Sequence, residues 1–245
     1  MNRLILSVGM PRAGSGWHYN LVHDLVVAGG GAVSQQVRRR YFLRLILTEV
    51  NCNIGHLGAH RLLPVLVPVL LGSTFTVKAH AGPTPLALSL VRRGLVLPTY
   101  IYRDPRAALL SAYEYGQRGL AEGRRNPFSG LTTLEQAAEF MQPYVRISEA
   151  WLACEQALHV RYESLVDDYE SEAGRLARFL SLQDRPEVVR GTIEKYGPER
   201  GEARQRGTHF SHGKAERFRA VFTPDQLENF NRMFCPYLER MGYAL

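Results

Sequence analysis

The stretch that decides the fold is residues 5–17, ILSVGMPRAGSGW, an apolar run followed by a glycine-containing turn and a tryptophan. Gly9 and Gly14 have the spacing of a phosphate-binding loop, GxxxxG, but Ser15 and Gly16 follow where a nucleotide triphosphatase has Lys and then Ser or Thr. A glycine loop between a strand and a helix directs backbone N–H groups at one point. The stretch therefore predicts an anion site without a magnesium-binding hydroxyl, and a tight turn without a ligand is the alternative.

Strands and helices are predicted to alternate along the chain, because short apolar runs alternate with apolar residues at helical spacing. The predicted strands are residues 3–9, 74–80, 97–103 and part of 157–165; the predicted helices include 15–29, 38–50, 104–119, 133–156, 169–182 and 223–243; connections are predicted at 29–36, 118–132 and 197–217. This order favours the α/β class, as a P-loop-like three-layer fold with a central, mainly parallel sheet flanked by helices. Since no repeat or linker is visible, we expect residues 1–245 to form a single domain.

The composition is that of a globular protein with a basic surface. Hydrophobic residues make up 45% and charged residues 22% of the chain, which suits a packed core. The net charge of +7 favours an anionic partner, namely a nucleotide, an acidic metabolite, nucleic acid or a membrane surface, and a solubilising surface is the alternative. Cys52, Cys154 and Cys235 are distant and odd in number, so we expect no disulfide framework and a reducing, cytoplasmic compartment.

One apolar segment, residues 62–77, resembles a membrane span. It is shorter than the about 20 apolar residues that cross a bilayer, and Pro64, Pro68 and Gly72 interrupt it. We therefore predict no membrane span here, and instead a buried helix followed by a strand.

Polar side chains follow two further predicted strands. Lys78 and His80 alternate at a strand end, so both side chains leave on one face, where a cation and an imidazole suit acid–base chemistry on a developing anion. Arg103 ends the next strand, and Ser111 lies about two helical turns onward. Ligands of parallel sheets bind at the carboxyl ends of strands, so this pair is a candidate for a second phosphate. A solvent-facing strand end and an ordinary capped helix are the alternatives.

Trp17 has two interpretations, and His209 and His212 are the histidines of a predicted loop. Trp17 is either a stacking surface for a nucleobase or a core residue. His209 and His212 lie in a basic loop without Cys or acidic residues at metal-ligand spacing, so we expect no metal.

Together these motifs resemble those of the cytosolic-type sulfotransferase family, in a divergent, bacterial-like form. Members of that family move a sulfuryl group from 3′-phosphoadenosine 5′-phosphosulfate (PAPS) to a hydroxyl or amine and release 3′-phosphoadenosine 5′-phosphate (PAP). PRAGSGW is similar to the family's P-K-S-G-T-T-W at Pro11, Gly14 and Trp17, with Arg12 at the lysine position. The resemblance implies that the backbone of residues 12–17 holds the 5′-phosphosulfate.

The other motifs of the family resemble three short segments of this chain. KAH is similar to K-T-H, which implies Lys78 as a stabilising cation and His80 as the catalytic base. RDPRAALLS is similar to R-N-x-x-D-x-x-x-S, which implies that Arg103 and Ser111 bind the 3′-phosphate. YESL is similar to Y-E-D-L, which implies Tyr162 on the adenine side.

The last motif, R-K-G-x-x-G-D-W-K-N-x-F-T, is degraded in this chain. Gly213 aligns with its first glycine, but Ser211 and His212 stand at the Arg and Lys positions and Glu216 replaces the second glycine. The residues that could replace the missing cations are Lys214, Arg206 and Arg217.

The resemblance implies a sulfotransferase that uses PAPS as co-substrate, releases PAP and needs no metal. The implied catalytic residues are His80, Lys78 and Arg12, and the implied donor contacts are Arg12, Ala13, Gly14, Ser15, Gly16, Trp17, Arg103, Ser111, Tyr162, His212, Gly213 and Lys214. We expect a small-molecule acceptor of lipid-like, aromatic or glycosidic character, bound by loops within residues 30–72 and 114–145.

Two other functions share these features. A nucleotide or small-molecule kinase would have the same fold and loop, although the chain lacks GK[ST] and an apolar run ending in Asp. A non-enzymatic nucleotide or nucleic-acid binder would use the same basic surface, but no nucleic-acid motif is present and we expect no nucleic-acid partner.

Overall fold

Four parallel strands form the central sheet of the structure, a computed structural model that describes residues 2–182, 186–197 and 216–245. The strands are β1 (Leu4–Gly9), β2 (Phe75–Ala79), β3 (Val96–Tyr102) and β4 (Leu158–Arg161). Their order across the sheet is β2-β1-β3-β4, and each neighbouring pair is parallel. The predicted α/β class with a mainly parallel sheet is therefore confirmed.

Helices flank this sheet on both faces. They are α1 (Ser15–Ala28), α2 (Ser34–Arg40), α3 (Ala59–Leu70), α4 (Pro85–Arg92), α5 (Pro105–Ala121), α6 (Leu134–Leu152), α7 (Tyr162–Asp167), α8 (Tyr169–Phe179), α9 (Pro186–Lys195) and α10 (Pro224–Arg240), with 3-10 turns at Leu43–Leu45 and Arg217–Ala220. Alternation along β1 sends Ile5 into the cluster formed with α1 and α8, and Leu4 and Leu6 into the cluster formed with α3 and α4. The sheet is therefore the middle layer of three.

A third apolar cluster anchors the loop after β1. Met10 and Ala13 of this loop pack with side chains of α5, α6 and α10. The loop is thereby fixed between the sheet and the helices that follow β3.

Two predicted segments differ from the structure. The connection predicted over 29–36 is confirmed only for residues 29–33, and the helix predicted over 38–50 only for residues 38–40, because α2 covers Ser34–Arg40. It ends there because Phe42 adopts a left-handed backbone conformation, φ 56°, which stops a right-handed helix.

The apolar segment of residues 62–77 forms α3 and β2, as predicted. However, α3 is buried on one face only: Leu62 and Val65 pack inside, whereas Leu63 and Val67 are exposed. No helix in the described part of the chain has both the length and the apolarity to cross a membrane.

Capping side chains begin helices α5 and α10. The Asp104 carboxylate accepts a hydrogen bond from the Arg106 amide at 2.8 Å and begins α5, with Pro105 in its first turn. Thr223 and Gln226 form a capping box at the start of α10. Most of the loop predicted over 197–217 lies outside the described residues.

Candidate active site

The candidate active site is a cleft at the carboxyl edge of the sheet, where the parallel strands end together. Its walls come from the loop after β1, the ends of β2, β3 and β4, one face of α5 and the loop after α5. The residues that line it are Pro11, Arg12, Gly14, Ser15, Gly16, Trp17, Lys78, His80, Arg103, Ser111, Tyr115, Pro127, Phe128 and Tyr162. The structure thus brings together the expected site residues from four separate motifs.

Glycine is required at two positions of the loop after β1. Gly14 has a left-handed φ of 75°, and a Cβ there would lie 2.6 Å from the Tyr162 ring. A Cβ on Gly9 would lie 2.5 Å from the Ile101 side chain. The loop therefore passes close beneath Tyr162 and leads into α1, whose first amides point out of the helix. The Ala13 amide instead donates to the Met10 carbonyl at 3.2 Å, so this expected donor contact is used within the loop.

His80 lies just past the end of β2, with its ring fixed by the backbone. Its Nδ1 lies 2.6 Å from the Gly9 carbonyl oxygen, which can only accept, so Nδ1 carries the proton and Nε2 has a free lone pair. Burial, with the neighbouring charge of Lys78 as a second cause, lowers the pKa of His80 to about 4. His80 is therefore a neutral base at pH 7.

Lys78 is buried on the same side of the sheet, next to Ser7 of β1 in the strand register. Burial, and secondarily the charge of Arg12, lowers the pKa of Lys78 to about 8. The ammonium therefore remains mostly protonated at pH 7, beside a neutral imidazole. This pairing is the one that the sequence predicts for acid–base chemistry.

Arg12 extends from the loop towards α5. Its backbone is left-handed, φ 63°, and its Nε donates to the Ser111 hydroxyl at 3.2 Å. The guanidinium carbon lies 4.4 Å from the Tyr115 ring centroid and 5.7 Å from that of Phe128. Burial is the main reason that the pKa of Arg12 falls to about 10, and the group stays charged at neutral pH.

Arg103 follows β3 and faces the same cleft. Its Nη1 donates to the Arg12 carbonyl at 3.2 Å, and its guanidinium carbon lies 4.2 Å from the Tyr162 ring centroid. Its buried Nε has no hydrogen-bond partner within the described residues. No ion pair found in residues 2–182, 186–197 and 216–245 joins Arg12, Lys78 or Arg103 to a carboxylate. The cleft therefore offers buried positive charge to an anionic ligand.

Trp17 is placed by the structure in the core. The side chain is fully buried, its indole N–H donates to the Tyr196 carbonyl at 3.0 Å, and its ring stacks on Tyr169 at 5.6 Å. Of the two interpretations of Trp17 that the sequence leaves open, the structure has core packing of the side chain, and the residue also borders the cleft.

Other parts of the site were not singled out by sequence. Tyr115 and Phe128 lie within the range 114–145 expected to bind the acceptor. The four-residue spacing of Ser111 and Tyr115 indicates that these two residues share one face of a helix. Arg217, a candidate replacement cation, is paired with Glu114 on α5. The other residues expected from the last motif, His212, Gly213, Lys214 and Arg206, lie outside the described residues.

Comparisons with known proteins agree with this architecture. A family model described as sulfotransferase domain matches residues 3–242. The chain is similar in structure to a retinol dehydratase in complex with androsterone and inactive cofactor PAP, with TM-score 0.60 and 17% identity over 96% of this chain and 80% of the other. A mouse sulfotransferase complexed with PAP gives TM-score 0.60 and 13% identity over 97% and 85% of the two chains.

A third solved structure, an Arabidopsis thaliana putative steroid sulphotransferase, gives TM-score 0.56 and 21% identity over 100% of this chain and 78% of the other. The sequence of the chain matches no curated protein. At these identities the solved structures establish the fold, and the family model establishes the family. Because that model spans residues 3–242, the chain belongs to the sulfotransferase domain family and is an enzyme of sulfuryl transfer.

Proposed function

We propose that the enzyme transfers the sulfuryl group of PAPS to a hydroxyl or amine of a small apolar acceptor and releases PAP. The observation that carries this proposal is the juxtaposition of three cations with a neutral base. Arg12, Lys78 and Arg103 line one cleft, with no carboxylate ion pair to any of them in the described part of the chain, and His80 lies beside them. This arrangement suits a polyanionic donor and a neutral nucleophile.

The residues of the cleft fit the two anionic ends of PAPS. The glycine loop and the start of α1 suit the 5′-phosphosulfate, since helix N-termini and glycine loops bind phosphate and sulfate groups. The unpartnered Nε of Arg103 and the Ser111 hydroxyl suit the 3′-phosphate. Tyr162, which covers Gly14 and stacks on Arg103, is assigned to the adenine side. PAPS supplies the sulfuryl group, and the chain supplies the base and the cations.

His80 acts as the general base in this mechanism. Its Nε2 lone pair takes the proton of the acceptor hydroxyl while the acceptor oxygen forms its bond to sulfur. The bond between sulfur and the phosphate oxygen breaks, and its electron pair stays on that oxygen. The Lys78 ammonium and the loop amides stabilise the developing negative charge. As in phosphoryl transfer, positioning and charge stabilisation account for most of the rate.

The acceptor is assigned to the apolar side of the cleft. Pro127, in the loop after α5, lines the cleft and lies within the range expected to bind the acceptor. An androsterone-bound neighbour of the same fold supports an apolar alcohol as the substrate class.

Calorimetric titration of the enzyme in EDTA tests the donor. We expect PAP to bind without metal and more tightly than AMP, which lacks the 3′-phosphate, because the cations of the cleft face two anionic groups. ATP with magnesium, titrated in a matched buffer without EDTA, is the comparison, since a kinase would prefer it. Binding of magnesium ATP in preference to PAP would replace the proposal by the kinase alternative.

A further inference from the structure

We propose that Arg12, although it stands at the lysine position of the glycine loop, binds the 3′-phosphate together with Arg103 and Ser111. This inference rests on the proposed function and deepens it. It assigns Lys78 and the loop amides to the reacting 5′ end, and it gives the 3′ end a cation in place of the Arg and Lys that Ser211 and His212 replace.

The Arg12 side chain is held on the α5 side of the cleft. Its Nε donates to the Ser111 hydroxyl at 3.2 Å, and Tyr115, one turn further along α5, lies with its ring centroid 4.4 Å from the guanidinium carbon. Phe128, from the loop after α5, approaches the guanidinium as well, at 5.7 Å. One hydroxyl and two rings therefore fix the direction of this charge.

Arg103 completes the subsite from the β3 side. Its Nη1 donates to the backbone carbonyl of Arg12 at 3.2 Å, and both arginines line the same cleft. Each is buried enough that their mutual repulsion counts, and Arg103 is one of the causes that lower the pKa of Arg12. A phosphate dianion between them would remove this repulsion and give the orphan Nε of Arg103 a partner.

Arginine suits this position better than lysine for two reasons. A planar guanidinium stacks on aromatic faces and still presents several N–H groups to one phosphate. A lysine at the same position would be a point charge without the stacking contact to Tyr115.

The test compares the effect of Arg12→Gln on two ligands, PAP and AMP, by calorimetry. The variant should bind PAP about 10- to 100-fold more weakly, the size of a lost charge-assisted hydrogen bond, while AMP changes by less than about twofold. Arg12→Lys, which keeps the charge and loses the fork, should lie between wild type and Arg12→Gln for PAP. Lys78→Gln is the matched control and should weaken both ligands by a similar factor, because both carry a 5′-phosphate.

A second variant lies outside the loop. Tyr115→Leu removes the stacking ring and should lower PAP affinity without changing AMP affinity. Tyr115→Phe keeps the ring and should bind PAP as the wild type does. Equal losses of PAP and AMP affinity in Arg12→Gln would place Arg12 at the 5′ end and overturn the inference, with the proposed function intact. A wild-type enzyme that binds PAP no better than AMP would instead contradict the proposed donor itself.

Discussion

Replacing His80 by alanine should lower turnover by about 10² to 10⁴ while leaving PAP affinity nearly unchanged. The reason is geometric: Nδ1 is committed to the Gly9 carbonyl at 2.6 Å, which leaves Nε2 as the proton acceptor in the cleft. The measurement is steady-state turnover with PAPS and an accepted alcohol, together with calorimetric titration of PAP.

His80→Asn is the matched control for the loop. An asparagine amide can donate to the Gly9 carbonyl but cannot accept a proton at neutral pH, so it separates support of the loop from base catalysis. Both variants should lose turnover to a similar extent. Wild-type turnover in His80→Asn would show that the imidazole supports the loop only.

The pH dependence of kcat/KM gives an independent view of the same pair. His80 must be neutral, so activity is lost as the pH falls through its pKa of about 4 in the free enzyme. Lys78 must be charged, so activity is lost as the pH rises through its pKa of about 8. In His80→Asn the residual activity should still fall at high pH but should no longer fall at low pH. If His80 had only a structural role, the fall at low pH would remain in the variant.

Replacing Arg106 by methionine should destabilise the fold by about 3 to 5 kcal/mol, the cost of breaking a buried ion pair. Arg106 is buried, and its Nη2 lies 2.7 Å from the Asp104 carboxylate and 2.6 Å from the Ala244 carbonyl. Its Nη1 donates to Asn231 of α10 at 2.6 Å. The methionine would leave the Asp104 charge buried and unpaired at the start of α5. Denaturant unfolding measures the loss.

Two controls define this second experiment. Arg232→Met removes an exposed partner of Glu228 and should change stability by less than about 1 kcal/mol. Adding Asp104→Asn to Arg106→Met removes the stranded charge and keeps a capping side chain, so the double variant should recover part of the loss. An Arg106→Met protein as stable as Arg232→Met would contradict the account of this ion pair.

The position of the site could be predicted because it depends on strand ends. The strands predicted at 3–9, 74–80 and 97–103 agree with β1, β2 and β3 to within one residue at each end. In a parallel sheet such ends meet at one edge, so the sequence alone brings Gly9, His80 and Arg103 together.

Local backbone conformations and side-chain directions could not be predicted in the same way. The early end of α2 depends on the left-handed backbone of Phe42, and the path of Arg12 depends on its own left-handed backbone. Whether Trp17 faces a ligand or the core depends on Tyr169 and Tyr196, which are distant in sequence. Such contacts follow from tertiary packing and leave no periodic signal in the chain.

Transfer of a radiolabelled sulfuryl group from PAPS to a panel of apolar alcohols and amines, in EDTA, tests the central claim most directly. We expect a labelled acceptor and an equal amount of PAP with the wild-type enzyme, and loss of both in His80→Asn. PAPS that stays intact with every acceptor, while magnesium ATP gives its terminal phosphate to one of them in a parallel reaction without EDTA, would contradict the account.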